Sequence, residues 1–392
     1  MSYQSIDALQ KTLAKEVFLH TTDQKKASGR ALGTLVEVVT YYLLRAWKLA
    51  PALSIEHRLQ EFGNPEITHN VEFAVHPALG IRFEVTLPRG QSVSAKVMCA
   101  YSPKLKAHCE THGLAVESPA LYSSPANGPE LVRNATVIAR DAGSHSLLLA
   151  TLAWADTKTV TFVVNHVLAA PFALVECKRV GVEEGQKKGP TTIEKAKQGA
   201  YVAKHASSLQ KIRSWDGTLY GALALPDGTF KVEPYFKALA RLVASKHTEE
   251  LEALVVTIGV VSNHGNWFTK DNMNKELKVL FGSYDWLLFL TDQGLAQFVE
   301  DLILKKGPVR DAFIASYAVP KAQKTGNQLT KSRLTLEAHL AIEQYTAKNL
   351  KSIEHKWFNV LAPRDGSVEE MRRQLATLES KKWQLPVLKK KE

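Results

Sequence analysis

Glu176 and Lys178 are two residues apart in the segment FALVECKRV (172–180), where an apolar run ends. Side chains at positions i and i+2 of a β-strand share one face, so this carboxylate and ammonium are predicted side by side, with Cys177 pointing into the core. Charges at the end of a buried strand need a metal, a partner or a phosphate to compensate them. The pattern indicates a Mg²⁺ site in which Glu176 and the main-chain carbonyl of Cys177 are ligands and Lys178 positions water or a phosphate. Such a site suits metal-assisted hydrolysis of a phosphodiester.

A second oxygen ligand is expected from Asn165, which belongs to the strand-like run TVTFVVNHVL before the motif. A tight turn around Ala169–Pro171 separates the two runs. If the runs pair about that turn as a hairpin, the side chains of Asn165 and Glu176 meet on one face. The sequence therefore predicts that Asn165 and Glu176 hold the metal together.

Basic residues cluster in the segment that follows. The candidate phosphate-binding lysines are Lys187, Lys188, Lys195, Lys197, Lys204 and Lys211. Thr191 and Glu194 form a T-x-x-E capping box that predicts the start of a helix among them. Each lysine alone suits a solvated face, but together they would neutralise nucleic-acid phosphates and make affinity fall steeply with salt. The formal net charge of +11 favours the same kind of partner.

The rest of the chain supplies the elements that must position this site. Apolar residues recur at helical spacing over 32–47, and segments between 67 and 97 alternate as strands do. Residues 101–145 are predicted to be loops or an irregular insertion. Further strand-like runs occupy 146–155, 159–168, 172–180 and 251–262, a strand and then a helix are predicted over 285–304, and the pattern is helical from 331 onward. We predict an α/β fold with a central mixed β-sheet flanked by helices.

The E-x-K motif on a strand, after a hairpin and before a capped basic helix, resembles one half of the PD-(D/E)XK nuclease motif, as found in type II restriction endonucleases. The resemblance covers roughly residues 145–300. It implies a restriction-endonuclease-like catalytic core at 146–300. An N-terminal helical and β region at 1–145 would serve DNA binding or dimerisation, and a basic, mostly helical region would follow at 301–392.

The same resemblance implies an activity and partners. The enzyme would be a Mg²⁺-dependent endonuclease that cuts double-stranded DNA at a specific sequence, with Glu37 on the early helix as an accessory acid. Cleavage of two strands is most simply done by a homodimer. A companion methyltransferase, not a stable subunit, is also implied.

Asn165 departs from the family at the hairpin position, where an aspartate normally ligates the metal. An amide keeps one oxygen but loses a negative charge beside a divalent ion, which costs on the order of several kcal/mol in a partly desolvated site. Three explanations follow: the chain is a natural inactive relative, Asp156 supplies the missing acid, or residue 165 is an engineered Asp→Asn substitution. We favour the last of these.

Two alternative functions remain. One, from another class, is a DNA-binding protein with a degenerate nuclease fold, and the other, within enzymes, is a repair nuclease that recognises DNA structure. Composition excludes several further classes of protein. The 3 cysteines are too few for a disulfide framework or a four-thiolate zinc site, and no apolar run is long enough to span a membrane. We therefore expect a cytoplasmic protein without a membrane partner. A phosphate-binding loop of the G-x-x-x-x-G-K-[ST] type is absent from the sequence, which excludes a motor built on that motif.

Overall fold

A six-stranded mixed sheet forms the centre of the structure. The computed structural model describes residues 6–18, 24–61, 64–117, 119–143, 145–180, 209–225, 227–246, 255–263, 280–318 and 328–383. In spatial order the central strands are β1 (Leu53–Glu61), β2 (Asn64–Val75), β11 (Ala173–Val180), β15 (Val256–Asn263), β16 (Trp286–Leu290) and β18 (Phe358–Ala362). β11, β15 and β16 run parallel, and the other neighbours are antiparallel. The predicted mixed sheet is confirmed.

Helices pack against the central sheet and against the second sheet described below. They are α1 (Ile6–Glu16), α2 (Gln24–Ala46), α3 (Ala95–Tyr101), α4 (Pro103–Thr111), α5 (Tyr235–Ala244), α6 (Asp292–Phe298), α7 (Pro308–Ala318), α8 (Leu336–Ser352) and α9 (Val368–Glu379). α2 buries Leu35, Val36, Val39 and Leu43, which lie on one helical stripe, in the main core with β11. Ser367 caps α9 by accepting a hydrogen bond from the N–H of Glu370.

A second, antiparallel sheet is inserted between β2 and β11. Its strands are, in spatial order, β3 (Ala78–Pro88), β10 (Thr159–Leu168), β9 (Ser146–Ala155), β8 (Thr136–Asp141) and β5 (Leu114–Val116). Apolar side chains from these strands and from α3 and α4 form a core of their own. The region 101–145, expected to be loops, thus contains one helix and four short strands as well as connections.

Two smaller sheets complete the fold. One contains β17 (Arg333–Thr335), β7 (Leu131–Arg133), β6 (Ala120–Ser123) and β4 (Val93–Ser94). The other contains β12 (Leu209–Arg213), β13 (Leu219–Ala224) and β14 (Phe230–Pro234), in that order. The C-terminal region, predicted to be mostly helical, also contains the short strands β17 and β18 beyond residue 331.

The predicted hairpin between the runs at 159–168 and 172–180 is wrong. Both runs are strands, but β10 belongs to the second sheet and pairs with β3 and β9. β11 belongs to the central sheet and pairs with β2 and β15. The turn between β10 and β11 therefore leads the chain from the second sheet to the central sheet. The sequence does not reveal this, because both strands are buried and neither carries a local signal for its partner.

The central sheet takes strands from all three predicted regions, 1–145, 146–300 and 301–392. Its main hydrophobic core extends from Leu9 on α1 to Trp383 after α9. The boundaries expected near 145 and 300 thus do not separate independent sheets. In the ranges the structure describes, no helix combines the length and the apolar character needed to cross a membrane.

Candidate functional site

Strand β11 places Glu176 and Lys178 on one face, as predicted. Nζ of Lys178 lies 3.0 Å from Oε1 of Glu176. Glu176 is buried, whereas the Lys178 side chain is 28% exposed, so solvent reaches this pair from the side of the lysine. Cys177 points into the main core, where burial raises the pKa of its thiol and keeps it neutral. The E-x-K residues therefore occupy the positions that alternation along a strand predicts.

The Glu176 carboxylate also takes the place of a backbone partner between β11 and β2. The two strands are paired as far as Val175 and Phe73. At the next step the N–H of Glu72 donates to Oε2 of Glu176 over 3.3 Å. The ladder thus ends in a contact from backbone to side chain, and this contact brings residue 72 of β2 beside the E-x-K motif.

Lys331 draws three further carboxylates together. Its Nζ lies 3.3 Å from Oε2 of Glu37 and 3.3 Å from Oε1 of Glu56, and it also contacts Oε2 of Glu72. These acids come from α2, β1 and β2, and the lysine precedes β17. Only 9% of the Lys331 side chain is exposed. We define the acidic cluster as these four residues together with Glu176 and Lys178.

Glu56 reaches the acidic cluster from a strained backbone conformation. Its φ is +54°, in the left-handed region, which costs a non-glycine residue about 1 kcal/mol or more. The ladder between β1 and β2 skips it, since Ile55 pairs with Phe73 and His57 with Val71. Such strain persists only where the surrounding structure imposes it, and here it accompanies the ion pair with Lys331.

The acidic cluster has more carboxylates than ammonium groups, four against two. Burial raises the pKa of Glu37, and the positive charges of Lys331 and Lys178 oppose that rise only in part. Beside the cluster, burial and then the negative charge of Glu176 raise the pKa of Tyr284 well above its usual range. Added positive charge would therefore stabilise this site.

Oxygen is the donor atom of every acid in the acidic cluster, which suits a hard cation such as Mg²⁺. Three of the carboxylates already converge on one cationic group, the ammonium of Lys331. Across the residues that the structure describes, no three acidic, histidine or cysteine side chains form a ready-made metal-binding group. The donor set fits Mg²⁺, but these side chains would have to turn from Lys331 and Lys178 toward the metal.

Asn165 does not join this site as the predicted hairpin partner of Glu176. It lies on β10, where its neighbours in register are Arg82 and Leu149. Its side chain is buried, and its Oδ1 has no hydrogen-bond partner among the described residues. Because its strand belongs to the second sheet, Asn165 does not face Glu176 across a hairpin, and the geometric reason for expecting it to be a metal ligand no longer holds.

Asp156 does not replace it. This residue lies in the exposed turn between β9 and β10, where its Oδ1 accepts hydrogen bonds of 2.7 Å from the N–H groups of Lys158 and Thr159. These bonds hold the pKa of Asp156 below its usual value. Its carboxylate stabilises the turn.

Lys211 is not displayed to a phosphate as predicted. Its Nζ lies 2.7 Å from Oδ1 of Asp285, a residue that is 1% exposed. The hydroxyl of Tyr235 donates to the same oxygen, and the N–H of Thr257 donates to the other one. Lys211 therefore compensates a buried acid. The other candidate lysines, Lys187, Lys188, Lys195, Lys197 and Lys204, and the capping box of Thr191 and Glu194, lie outside the described residues.

Sequence reasoning found Glu37, Glu176 and Lys178 but missed Glu56, Glu72 and Lys331. One signal was present: Glu72 is the single charge in the apolar run VEFAV of β2. That signal needs the knowledge that β2 is the neighbour of β11, which the insertion of the second sheet conceals.

Comparison of the chain with protein-family models, with curated proteins and with solved structures finds no match.

Proposed function

We propose that this protein is a Mg²⁺-dependent DNA endonuclease in which Glu72 supplies the acid that was expected at position 165. The carrying observation is the contact between Glu176 and the backbone of Glu72 on the neighbouring antiparallel strand. In the nucleases that the E-x-K motif resembles, the adjacent strand carries an aspartate that ligates the metal. Glu72 provides a carboxylate there, as glutamate in place of aspartate, so activity requires no aspartate at position 165.

The residues of the acidic cluster have separate roles in this proposal. Glu37, Glu72 and Glu176 would hold Mg²⁺ with the carbonyl of Cys177, and the bound metal would polarise the phosphate and acidify a water molecule. The partly exposed ammonium of Lys178 orients the attacking water and neutralises the phosphate. Burial of Glu176 would restrict the motion of its carboxylate and so hold the metal in one position.

DNA is the polyanion that we propose as substrate, supported by the formal net charge of +11. A central mixed sheet with E-x-K at its middle and α2 packed beside it is the arrangement expected of a restriction-endonuclease-like core. Sequence-specific cleavage of both strands would engage a homodimer. Its host would need a companion methyltransferase to protect its own DNA.

The test is cleavage of unmethylated phage DNA with Mg²⁺ by the natural chain and by single variants. Glu72→Gln and Glu176→Gln should each lower the cleavage rate by at least about 100-fold, since a lost metal ligand costs more than a lost outer partner. Glu84→Gln changes an exposed acid on β3 and is the matched control, with no expected effect. Asn165→Asp should confer no gain.

Three results would count against parts of this proposal. Full activity of Glu72→Gln would remove residue 72 from the site. A chain that cuts only as Asn165→Asp would restore position 165 as the ligand. Progressive smearing of plasmid, without discrete fragments, would replace the restriction reaction by the structure-specific repair nuclease.

A second candidate function is supported by Lys331. Its ammonium already neutralises three carboxylates, as expected of a DNA-binding protein in which a lysine has taken over the role of a metal. This candidate predicts duplex binding without cleavage by the natural chain. It also predicts that neither Mg²⁺ nor Asn165→Asp restores cutting.

A further inference from the structure

Three histidines meet between α4 and β10 of the second sheet. His108 and His112 are four residues apart at the C-terminal end of α4, so their side chains lie on one side of that helix. His166 lies on β10. The ring centroids are 4.1 Å apart for His108 and His112, 4.9 Å for His108 and His166, and 5.6 Å for His112 and His166. We call these three residues the histidine cluster.

The shortest contact in the histidine cluster joins two ring nitrogens. Nε2 of His108 lies 3.1 Å from Nδ1 of His166. Two nitrogens bound to one tetrahedral zinc ion, each about 2.0–2.1 Å from it, lie about 3.3–3.4 Å apart. The observed separation is only slightly shorter than the one that a shared metal requires. A small rotation of the two rings would therefore exchange their mutual hydrogen bond for two bonds to one ion.

His166 differs from an ordinary structural histidine. It is 1% exposed, and its Nε2 has no hydrogen-bond partner among the described residues. His76 is buried to the same degree, but its Nε2 is bonded to the hydroxyl of Ser54 and its Nδ1 to the carbonyl of Leu168. Buried polar groups usually have such partners. Within the described part of the chain, the ring of His166 is hydrogen-bonded only to His108 and has no other hydrogen bond to lose on turning toward a metal.

His112 opens the histidine cluster to solvent. It is exposed and His108 is half-buried, so an ion can reach the cluster from the side of α4. The Nδ1–H of His112 donates to the carbonyl of His108 over 3.0 Å at the exposed end of the helix. The described residues do not contain a ready-made metal site of three such side chains. Rotation of His112, which gives up this one exposed hydrogen bond, would bring the third nitrogen beside the other two.

We propose that the histidine cluster binds Zn²⁺ through one nitrogen of each of its three rings. Imidazole is a ligand that suits Zn²⁺, and three histidines with a fourth position for water form a common zinc site. The segment AHCETHG (107–113) supplies only two of these ligands, and the third lies 58 residues after His108 on a strand. The metal would fasten α4 to β10 and so stabilise the second sheet.

This site is separate from the proposed nuclease centre and selects a different ion. The acidic cluster offers carboxylate oxygens, which suit Mg²⁺, whereas the histidine cluster offers nitrogens, which Mg²⁺ binds poorly. The central sheet holds Glu176, and the second sheet holds His166. Zinc binding here therefore does not depend on whether the protein cuts DNA.

Isothermal titration calorimetry of the full chain with ZnCl₂, after treatment with EDTA and dialysis, measures the Kd and the stoichiometry. We expect one Zn²⁺ per chain at the histidine cluster, unaffected by Mg²⁺. His108→Ala and His112→Ala should each raise the Kd by at least about 10-fold, because loss of even an outer partner of a metal typically costs about 10–100-fold in affinity. His355→Ala is the matched control, since it removes a histidine whose side chain is 59% exposed and pairs with Glu369, and it should leave the Kd unchanged.

Thermal denaturation gives a second readout and checks that each variant folds. Zn²⁺ should raise the melting temperature of the natural chain, because an ion that binds the folded state stabilises it. The increase should disappear in His112→Ala, whose exposed position makes a folding defect in the metal-free chain unexpected. A zinc-induced increase that His112→Ala retains in full would overturn the proposal.

Three results of the titration would also overturn it. Binding that neither His108→Ala nor His112→Ala weakens would be adventitious. Loss of binding in Cys99→Ala alone would assign the ion to the hydrogen-bonded thiols of Cys99 and Cys109. Loss in Glu176→Gln alone would assign it to the acidic cluster.

The zinc proposal and the nuclease proposal can fail separately. Zinc binding that depends on His112, in a chain that cuts no DNA under any condition, would support the zinc site and refute the nuclease. Cleavage that depends on Glu176, in a chain that binds no Zn²⁺, would do the reverse.

Discussion

Lys331→Met tests whether the ammonium of Lys331 stabilises the folded protein by compensating the negative charge of the acidic cluster. At an effective dielectric constant of about 20, each contact at 3.3 Å has a Coulomb energy of roughly 5 kcal/mol, much of which desolvation of the lysine offsets. Loss of one partner from a buried pair typically costs about 3–5 kcal/mol. Glu56 is 58% exposed and is screened by water, so Glu37 and Glu72 account for most of that cost.

We therefore expect Lys331→Met to lower the free energy of unfolding by about 3–5 kcal/mol at pH 7. Without the ammonium, the pKa of Glu37, which burial already raises, rises further in the folded state above its unfolded value near about 4.3. The folded variant then binds more protons than the unfolded chain, so the loss is largest at neutral pH and shrinks as the pH falls toward about 4.3. Mg²⁺ should restore stability to the variant more than to the natural chain.

Urea denaturation at several pH values, with and without Mg²⁺, measures these effects. Lys305→Met is the matched control, because the Lys305 side chain is 68% exposed in its pair with Asp301, and it should change stability by less than about 1 kcal/mol. A loss below about 1 kcal/mol for Lys331→Met, or a loss that does not vary with pH, would refute the view that this lysine compensates the cluster.

Three further perturbations have defined outcomes. Lys211→Met should lower the free energy of unfolding by about 3–5 kcal/mol in urea titrations, because it leaves Asp285 buried without its cation. A variant that loses DNA affinity but keeps its stability would contradict this role. Burial, followed by the charges of nearby histidines, lowers the pKa of His166 to about 4. As the pH falls, the imidazole is therefore protonated first in the unfolded chain, and the free energy of unfolding should fall between about pH 6.5 and pH 4. His166→Gln should flatten that pH dependence. Gly259→Ala places a Cβ 2.8 Å from the buried ring of Tyr284 and should lower the melting temperature, with a cost of about 1–3 kcal/mol.

The local elements of the site follow from sequence. Alternation along FALVECKRV places Glu176 and Lys178 on one face and Cys177 in the core, as the structure has them. Helical spacing identifies α2, which carries Glu37 into the same region. Both signals depend only on residues within one strand or one helix, and such signals survive folding because the period of the element determines them.

The partnership between elements does not follow from sequence. A strand such as β10, buried on both faces, fits several neighbours equally well, so the short connection to β11 suggests a hairpin. Long-range pairing decided otherwise. Glu72 is separated from Glu176 by 104 residues and from Lys331 by 259 residues. Chain separations of this size leave no local pattern, and only the assembled sheet brings these residues together.

The position of Lys331 late in the chain has a consequence for synthesis. At about 5–20 residues per second, the ribosome needs roughly 13–52 s to proceed from Glu72 to Lys331. During that interval Glu37, Glu56 and Glu72 are already on the nascent chain without their shared counter-ion. The ion pairs of these carboxylates with Lys331 can form only after residue 331 has been synthesised. A chain released before that point lacks the cation that compensates the acidic cluster.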